Sequence, residues 1–558
     1  MLRWNGEEGA VQKPLVGLTN ENLVREATAG VTLLAIAIPL NIGYAQIAGL
    51  PPTAGLYALV LPSILYALTV SSRQVVASPD AAAAALVASS VGTLAVAGSE
   101  DYLTMCLAQA LLCGVMFIGL SVFRLGFLAN FLSKPILVGF VGGLALDIGV
   151  SQIAKMLGVK IDSGGEFLEK LQDLVTGLDT ISGWSVAISF IAVIVLVGGK
   201  RLATGVPWAL IVLVLATVVV VVADLADAGV KVLGAVESGA PSLTWPDLSW
   251  HQWLALVPSA IALTLITTAE GLLVSRSYGE KRGYRTDPNR DLFAFGVGNL
   301  AAGVSGGFAV GSSTSRTAAM DQAGSRTQLP SLVTAAGTLL LLIFGTALLE
   351  DIPSPAIGAI VGVAILPLLG IKEFRELWAA DRAEFLVGAV CFAVTLFVGS
   401  IAGILVAFVF ALINLARRAA NPAIDVLEAD GNPGHSLLAE APAGKATAPG
   451  VVVIRMAAPL FFANGVVFGD AVRKAVNATA DIRHVVVDME AVTDVDVTGA
   501  EAFGTLRTWL SGKSVELAFS RVRADARDRL EQLGLLTDER VFDTNREAVA
   551  ALTTEEES

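Results

Sequence analysis

The residues with the clearest chemistry lie in Gly306-Gly-Phe-Ala-Val-Gly311-Ser312-Ser313-Thr314-Ser315-Arg316-Thr, followed by Ala-Ala-Met-Asp321 and a loop to Leu329. Apolar, membrane-length segments flank this stretch, yet it is dense in glycine and hydroxyls and carries an arginine. Irregular backbone or charge at membrane depth is tolerated where it lines a protein-enclosed cavity. Glycine lets a backbone approach a ligand closely. The Ser/Thr run is a natural helix start, whose free N–H groups and dipole favour an anion. Arg316 adds a permanent positive charge with a planar donor fork. A plain helix-packing seam with a snorkelling arginine is the competing reading. It would call for small residues at helical spacing, where this stretch has a glycine-rich break.

The elements that must hold such a site come from composition and hydropathy. The chain has 558 residues, 54% of them hydrophobic and 16% charged, with a mean hydropathy of +0.70. Those values describe a polytopic α-helical membrane protein set in a lipid bilayer. The net charge of −13 argues against a nucleic-acid partner. Cys106, Cys113 and Cys391 lie in apolar spans, and His251, His435 and His484 are scattered, so no disulfide framework, metal site or cofactor is expected.

Apolar segments fall near 26–47, 54–70, 76–97, 103–123, 134–150, 182–198, 206–223, 254–275, 291–305, 310–322, 329–348, 354–370, 383–399 and 402–416. This predicts 14 spans as a 7+7 inverted repeat, with repeat one over about 26–223 and repeat two over about 254–416. Alternate connections carry Arg73, Arg124, Lys200, Lys281, Arg282 and Arg375, whereas those near 48–53, 98–102, 349–353 and 400–401 carry no Lys or Arg. The positive-inside rule then predicts a multi-pass plasma-membrane protein with both termini cytoplasmic. The third span opens with Val75-Val-Ala-Ser78-Pro79-Asp80-Ala81, and the tenth with the Gly/Ser/Thr run. Interrupted segments at corresponding places in two halves point to a transporter's binding site, with two half-helix N-termini facing each other.

The domain reading is a cytoplasmic segment 1–25, a transmembrane domain 26–418, a Pro/Gly/Ala-rich linker 419–449, a small α/β domain 450–553 and an acidic tail 554–558. Within the α/β domain, Val451–Arg455, His484–Asp488 and Val515–Phe519 read as strands, with helices near 465–478, 499–511 and 523–533. Thr544-Asn-Arg-Glu547 reads as a capping box opening a last helix.

These residues reach a known family. Ile38-Pro39-Leu-Asn-Ile-Gly-Tyr44-Ala-Gln-Ile-Ala-Gly49-Leu-Pro51-Pro52-Thr-Ala-Gly55-Leu-Tyr57, Ser315-Arg316 with Arg326-Thr-Gln-Leu329, and a C-terminal domain carrying Pro459-Leu-Phe-Phe-Ala-Asn464 and Asp494-Val-Asp496-Val-Thr498-Gly499 together resemble the SulP anion permeases. The animal members are the solute carrier 26 proteins, and the last segment is similar to a STAS domain. The resemblance covers nearly the whole chain. It implies gate and scaffold subdomains, a homodimer, and elevator-like alternating access to an anion held between spans one, three, eight and ten. One departure stands out: many members carry glutamine directly after the proline of the first span, where this chain has Leu40 followed by Asn41.

The expected substrate-binding residues are Ser78 and Ala81 on span three, Gly311, Ser312, Ser313, Thr314, Ser315 and Arg316 on span ten, and Asn41 and Tyr44 on span one. Glu270, amid Thr267 and Thr268 in span eight, is the candidate coupling residue, because an intramembrane carboxylate is a functional hypothesis by default. Relatives with a sodium requirement carry aspartate at the resembling position, so glutamate here favours H+ over Na+ as the coupling ion. A structural ion pair with Arg316 is the other reading of Glu270. Asp80 reads most simply as an N-cap, Gln46 as a pocket residue or helix-end cap, and Asp147 receives no assignment. Thr498 matches the serine that is phosphorylated in related anti-sigma-factor antagonists. It is a possible regulatory residue for a cytoplasmic partner, and its simpler reading is the N-cap of the helix that follows.

The leading function is therefore secondary active transport of a small inorganic or carboxylate anion, sulfate or a similar oxyanion, with proton symport and no enzymatic activity. Bicarbonate or dicarboxylate symport, a passive anion channel or exchanger, and a STAS-based signalling scaffold are the alternatives.

Overall fold

The computed structural model describes residues 14–127, 134–161, 166–202, 206–429, 440–442, 444–536 and 539–554. The acidic tail from Glu555, His435 and the linker residues 430–439 lie outside that set. Two units emerge, Met1–Ala411 and Leu412–Ser558.

The first unit begins with α1 (Leu23–Ile47), α2 (Pro52–Tyr57), α3 (Leu61–Thr69), a two-residue strand β1 (Ala77–Ser78), α4 (Ala81–Val91) and α5 (Glu100–Val122). Next come α6 (Lys134–Leu157), α7 (Phe167–Thr176), α8 (Gly183–Leu202) and α9 (Trp208–Val222). The second half holds α10 (Trp250–Arg282), α11 (Pro288–Val304), β2 (Gly311–Ser312), α12 (Thr314–Gln322) and α13 (Leu329–Phe344). It ends with α14 (Ser354–Ile365), α15 (Ile371–Ala380), α16 (Arg382–Phe397) and α17 (Ser400–Ala420), which runs across the unit boundary.

Each apolar segment expected from hydropathy falls on one or more of these helices. Among the described residues, six helical stretches are long and apolar enough to cross a membrane by themselves, and α4, α8, α9 and α13 give shorter apolar helices. Two helices escaped the hydropathy reading. In α7 and α15, charged and apolar residues alternate at helical spacing, so their mean hydropathy is low although each has an apolar stripe. On α15, Leu377 is buried and Ile371 and Trp378 are exposed.

Close helix packing is set by small residues. Side-chain atoms at Gly30 or Gly43 of α1 would strike Val333 of α13 or Val361 of α14. Likewise Gly114 of α5 faces Leu300, and Gly303 of α11 faces Leu111. Such contacts let membrane helices approach to backbone distance, where dispersion and packing hold them together.

The short, irregular parts sit where the two halves meet. β1 and β2 pair antiparallel, Ala77 with Ser312 and Ser78 with Gly311, so the two breaks satisfy each other's backbone groups at membrane depth. The chain before β1 is anchored by buried polar contacts. Asp291 accepts from Ser71 N at 2.8 Å and Ser71 Oγ at 2.7 Å, and Gln328 Nε2 donates to Ser72 O at 3.1 Å and Val75 O at 2.8 Å. On the other side, Asn299 of α11 takes the N–H of Val310 at 3.0 Å and donates to its carbonyl at 2.9 Å, fixing the approach to β2.

The second unit is an α/β domain. It holds β3 (Ile424–Val426), β4 (Val451–Met456), α18 (Gly465–Ala478), β5 (His484–Asp488), α19 (Val497–Gly512), β6 (Glu516–Ser520), α20 (Ala524–Gln532), β7 (Arg540–Phe542) and α21 (Asn545–Thr554). The sheet runs in the order β3-β4-β5-β6-β7, with β3 antiparallel to β4 and the remaining pairs parallel. The buried runs Val451–Ile454 and Val485–Val487 form its centre, as parallel strands covered on both faces require. Strand β3 falls inside the stretch read as linker. At α21, Thr544 Oγ1 accepts from Glu547 N at 3.1 Å, while the Glu547 carboxylate reaches Asp543 N at 3.1 Å, one residue before the partner of a standard capping box.

Candidate functional site

The site is built on two helix starts that meet at the β1–β2 pair. Helix α4 begins just after β1 with Asp80 as its N-cap, and Asp80 Oδ1 accepts from Ala83 N at 2.7 Å. Helix α12 begins just after β2 with Ser313 as its N-cap, and Ser313 Oγ accepts from Arg316 N at 3.4 Å. Ser313 N donates back to Val76 O at 3.0 Å, and Val76 N donates to Thr317 Oγ1 at 3.0 Å. The two N-termini are thereby stitched together, each with the unpaired N–H groups that attract negative charge.

Arg316 is completely buried, at 0% exposure. Its Nε donates to Ser313 Oγ at 2.8 Å and its Nη1 to Asn41 Oδ1 at 2.7 Å, while Nη2 donates to the carbonyl of Pro79. The ring of Tyr44 lies 5.5 Å from the guanidinium, close enough for a cation–π contact. Every one of these partners is formally neutral. The ion pair between Arg316 and Glu270 that the sequence allowed is absent among the described residues. Instead, Asp80 lies within electrostatic reach of both Arg316 and Glu270. The geometry therefore leaves a buried cation bonded to neutral oxygens, an arrangement that gains from an anion.

The surrounding polar atoms point the same way. Asn41 Nδ2, Ser78 Oγ, Ser312 Oγ and Thr268 Oγ1 are buried and have no hydrogen-bond partner. Buried polar groups are nearly always bonded, and the unpartnered atoms on Asn41, which holds Arg316, and on the β1–β2 pair are free to bond a polar ligand. Gly311 is needed here for space: a Cβ on it would lie 2.5 Å from Asp80 Oδ2 and 3.3 Å from Thr267 Oγ1. This close passage brings β2 beside the coupling candidates Thr267 and Glu270 of α10.

A family model for the sulfate permease family matches residues 23–391. The chain belongs to the sulfate permease family. A second model, the STAS domain, matches residues 444–548. A probable sulfate transporter of Mycobacterium tuberculosis is 33% identical over 531 residues, covering 94% of each chain. The low affinity sulfate transporter 3 of Stylosanthes hamata is 30% identical, covering 94% of this chain and 86% of its own. Among solved structures, the murine Slc26a9 anion transporter in the inward-facing state aligns over 96% of this chain and 92% of its own, with TM-score 0.86 at 21% identity. The transmembrane domain of a cyanobacterial bicarbonate transporter, BicA, aligns over 69% of this chain and 98% of its own, with TM-score 0.62 at 21% identity. Membership makes this a multi-pass membrane permease, and not an enzyme.

Within this permease fold, the residues expected from sequence divide into three groups. Asn41, Tyr44, Ser78, Ala81, Gly311, Ser312, Ser313 and Arg316 converge on the two helix starts and are buried. Where many members carry glutamine after the proline, Leu40 is buried, and the amide one residue later, Asn41, faces Arg316. Thr314 and Ser315 belong to the first turn of α12 but are exposed. The partners of three further residues are decided by the structure, and Gln46 does line a cavity. Gln46 caps no helix end: its Oε1 accepts from Lys155 Nζ at 3.0 Å. Asp496, not Thr498, is the N-cap of α19, accepting from Gly499 N at 2.7 Å, and Thr498 is exposed in the first turn. Asp147 pairs with Lys170 of α7 at 2.8 Å, a partner that could be found only by recognising α7 as an amphipathic helix packed on α6.

Sequence reasoning also missed a second constellation below α12. Asp321 pairs with Lys281 at 2.9 Å, Arg282 at 2.7 Å and Arg326 at 3.3 Å. Glu26, fully buried, accepts from Ser325 Oγ at 2.6 Å, Arg326 N at 2.7 Å and Thr327 Oγ1 at 2.9 Å. These contacts tie the end of α12 to α10 and α1.

Proposed function

We propose that this permease is a secondary active transporter of a small oxyanion, sulfate or a close analogue, in the plasma membrane. The anion sits between the N-termini of α4 and α12, against Arg316, and moves by elevator-like alternating access with proton symport through Glu270. One observation carries the reading: a fully buried arginine whose three donor contacts are all to neutral oxygens, set between two helix starts. The names of the mycobacterial and plant relatives support sulfate as the anion. For the coupling ion, the support is the placement of Asp80 and Glu270 within each other's field, since a pair of carboxylates gains from taking up a cation. Both termini are cytoplasmic in this reading and the protein is a homodimer.

The test is counterflow. Purified protein in proteoliposomes preloaded with sulfate should accumulate labelled sulfate. Unlabelled selenate should compete strongly, and bicarbonate, chloride and dicarboxylates weakly. Sulfate that neither exchanges nor competes would defeat the substrate assignment.

A further inference from the structure

Away from Arg316, a second concentration of positive charge has no part in the function proposed above. A cavity of about 430 Å3 opens where the end of α6, the start of α8, the 224–249 loop and the start of α14 come together. Lys155, Lys160 and Lys231 line it, beside Ser151, Ser185 and Gln46. No carboxylate lines the cavity among the described residues, and none of them forms an ion pair with any of the three lysines. Lys155 Nζ donates to the neutral amide of Gln46 at 3.0 Å. Lys231 sits within electrostatic reach of both Lys155 and Lys160. Partial burial first, and then the charge of Lys160, lower the pKa of the Lys231 ammonium, the response of a cation short of counter-charge.

Two features distinguish this from a chance surface cluster. The lysine-bearing loops are held by backbone hydrogen bonds: Ser354 N donates to Lys231 O at 2.8 Å, Leu233 N to Ile352 O at 2.9 Å, and Ser182 N to Leu157 O at 3.0 Å. In addition, Ser185 Oγ, on a residue only 1% exposed, has no hydrogen-bond partner and lines the same cavity. A donor with no partner, on the same cavity as three lysines that form no ion pair among the described residues, is complementary to a multivalent oxyanion.

The cavity shares part of its lining with a neighbouring one. Gln46, Ser151 and Lys155 line both it and a smaller cavity of about 10 Å3 shared with Ala85, Ala88 and the Asp147–Lys170 ion pair. Gln46 follows Asn41 on α1, and Ala85 follows Ala81 on α4, so the smaller cavity borders two helices that also carry residues of the Arg316 site. The geometry points to an anion-capture site at this mouth, binding a small divalent oxyanion on Lys155, Lys160 and Lys231 before it passes to Arg316. In the orientation proposed above the mouth faces outward. The direction of passage rests on the transport reading, whereas binding to the lysines does not. A cationic cleft of this kind raises the local concentration of its ligand and the rate of capture.

The experiment is lysine footprinting on the purified full-length protein. Amine acylation at Lys155, Lys160 and Lys231 is followed by peptide mass spectrometry, in sulfate and in chloride of equal ionic strength. Wild type and Arg316→Ala are compared, each confirmed as folded by size exclusion. Sulfate should slow acylation of the three lysines severalfold relative to chloride in both proteins. Equal rates in sulfate and chloride would reduce the cluster to general screening and overturn the site. Protection seen in wild type but lost in Arg316→Ala would also overturn it, by tracing the effect to the central site. Because the readout needs no transport, a failure of the transport reading leaves this result interpretable. In uptake assays, replacing the three lysines together by glutamine should raise the KM for sulfate severalfold, and an unchanged KM would count against capture.

Discussion

The two helix starts that form the centre of the molecule occupy matching places in the two halves of the chain, but they carry opposite charges. Helix α4 is capped by a carboxylate, Asp80, which neutralises part of its own positive end. Helix α12 is capped by a neutral hydroxyl, Ser313, and adds Arg316 one turn in. If the two ends were alike, both would draw the anion equally. With this asymmetry the α12 end is the more positive, and the α4 end, with Glu270 of α10 in its field, holds the negative charge that a coupling cation would meet. In the proposed reading the two ends therefore take different tasks, one for the anion and one for the coupling cation.

The largest expected effect comes from removing the charge that makes α12 different. Arg316→Ala should abolish most sulfate uptake while the protein still inserts, because the positioned charge is lost and the helices keep their own backbone bonds. A hydrogen bond to a charged group contributes about 1.5–3 kcal/mol, so apparent affinity should fall roughly 10- to 150-fold. Arg316→Lys should recover part of this, since the charge returns without the planar fork that reaches Ser313, Asn41 and Pro79 together. Concentration-dependent uptake in matched proteoliposomes checks both variants, and unaltered kinetics in Arg316→Ala would erase the proposed division between the two ends.

A smaller effect is expected from the other side. Glu270→Gln imitates the protonated carboxyl permanently, so this variant should bind and exchange sulfate yet lose its response to an inward proton gradient. An anion beside Arg316 offsets that positive charge, which favours proton uptake by the nearby carboxylates, and reciprocity then requires that protonation tighten anion binding. Uptake with and without the gradient measures this. A gradient response that survives in Glu270→Gln would move the coupling elsewhere, with Asp80 the nearest alternative, and a wild-type response to sodium alone would change the ion.

The outline of both units was legible in the sequence because it depends on local patterns. Apolar runs of membrane length and alternating short strands survive whatever packs against them, and β5 (His484–Asp488) and α18 (Gly465–Ala478) match the pattern residue for residue. The β1–β2 breaks were legible for the opposite reason, since glycine and serine at membrane depth conflict with the surrounding hydropathy. What stayed hidden was decided across large separations. Asp80, not Arg316, is the charge whose field Glu270 senses, Lys155 takes Gln46, and Asp147 takes Lys170. Each depends on which faces of packed helices meet, and no spacing within one helix reports that. The cap of α19 was misplaced by two residues because Asp496 and Thr498 are both good cap formers, and the backbone at the turn chooses between them.

The smallest expected effect separates the two roles of Asp80, as cap and as charge. Its carboxylate accepts from Ala83 N, and asparagine is about as good an N-cap as aspartate. Asp80→Asn should therefore keep α4 starting where it does, removing only the negative charge that faces Arg316 and Glu270. Asp80→Ala removes cap and charge together, at a cost of about 1 kcal/mol in the stability of the helix start. If Asp80 is purely structural, Asn should behave as wild type and Ala should lower thermal stability modestly, with transport following stability. If its charge also tunes the site, both variants should change the dependence of uptake on external pH in the same way, while only Ala loses stability. With Asp80 neutral, Arg316 is less offset, so sulfate should bind somewhat more tightly in Asp80→Asn and be released more slowly. A lower KM together with a lower turnover in Asp80→Asn, at wild-type stability, is the expected result. Identical kinetics in wild type and Asp80→Asn would confine this residue to capping and leave Arg316 and Glu270 as the functional charges of the site.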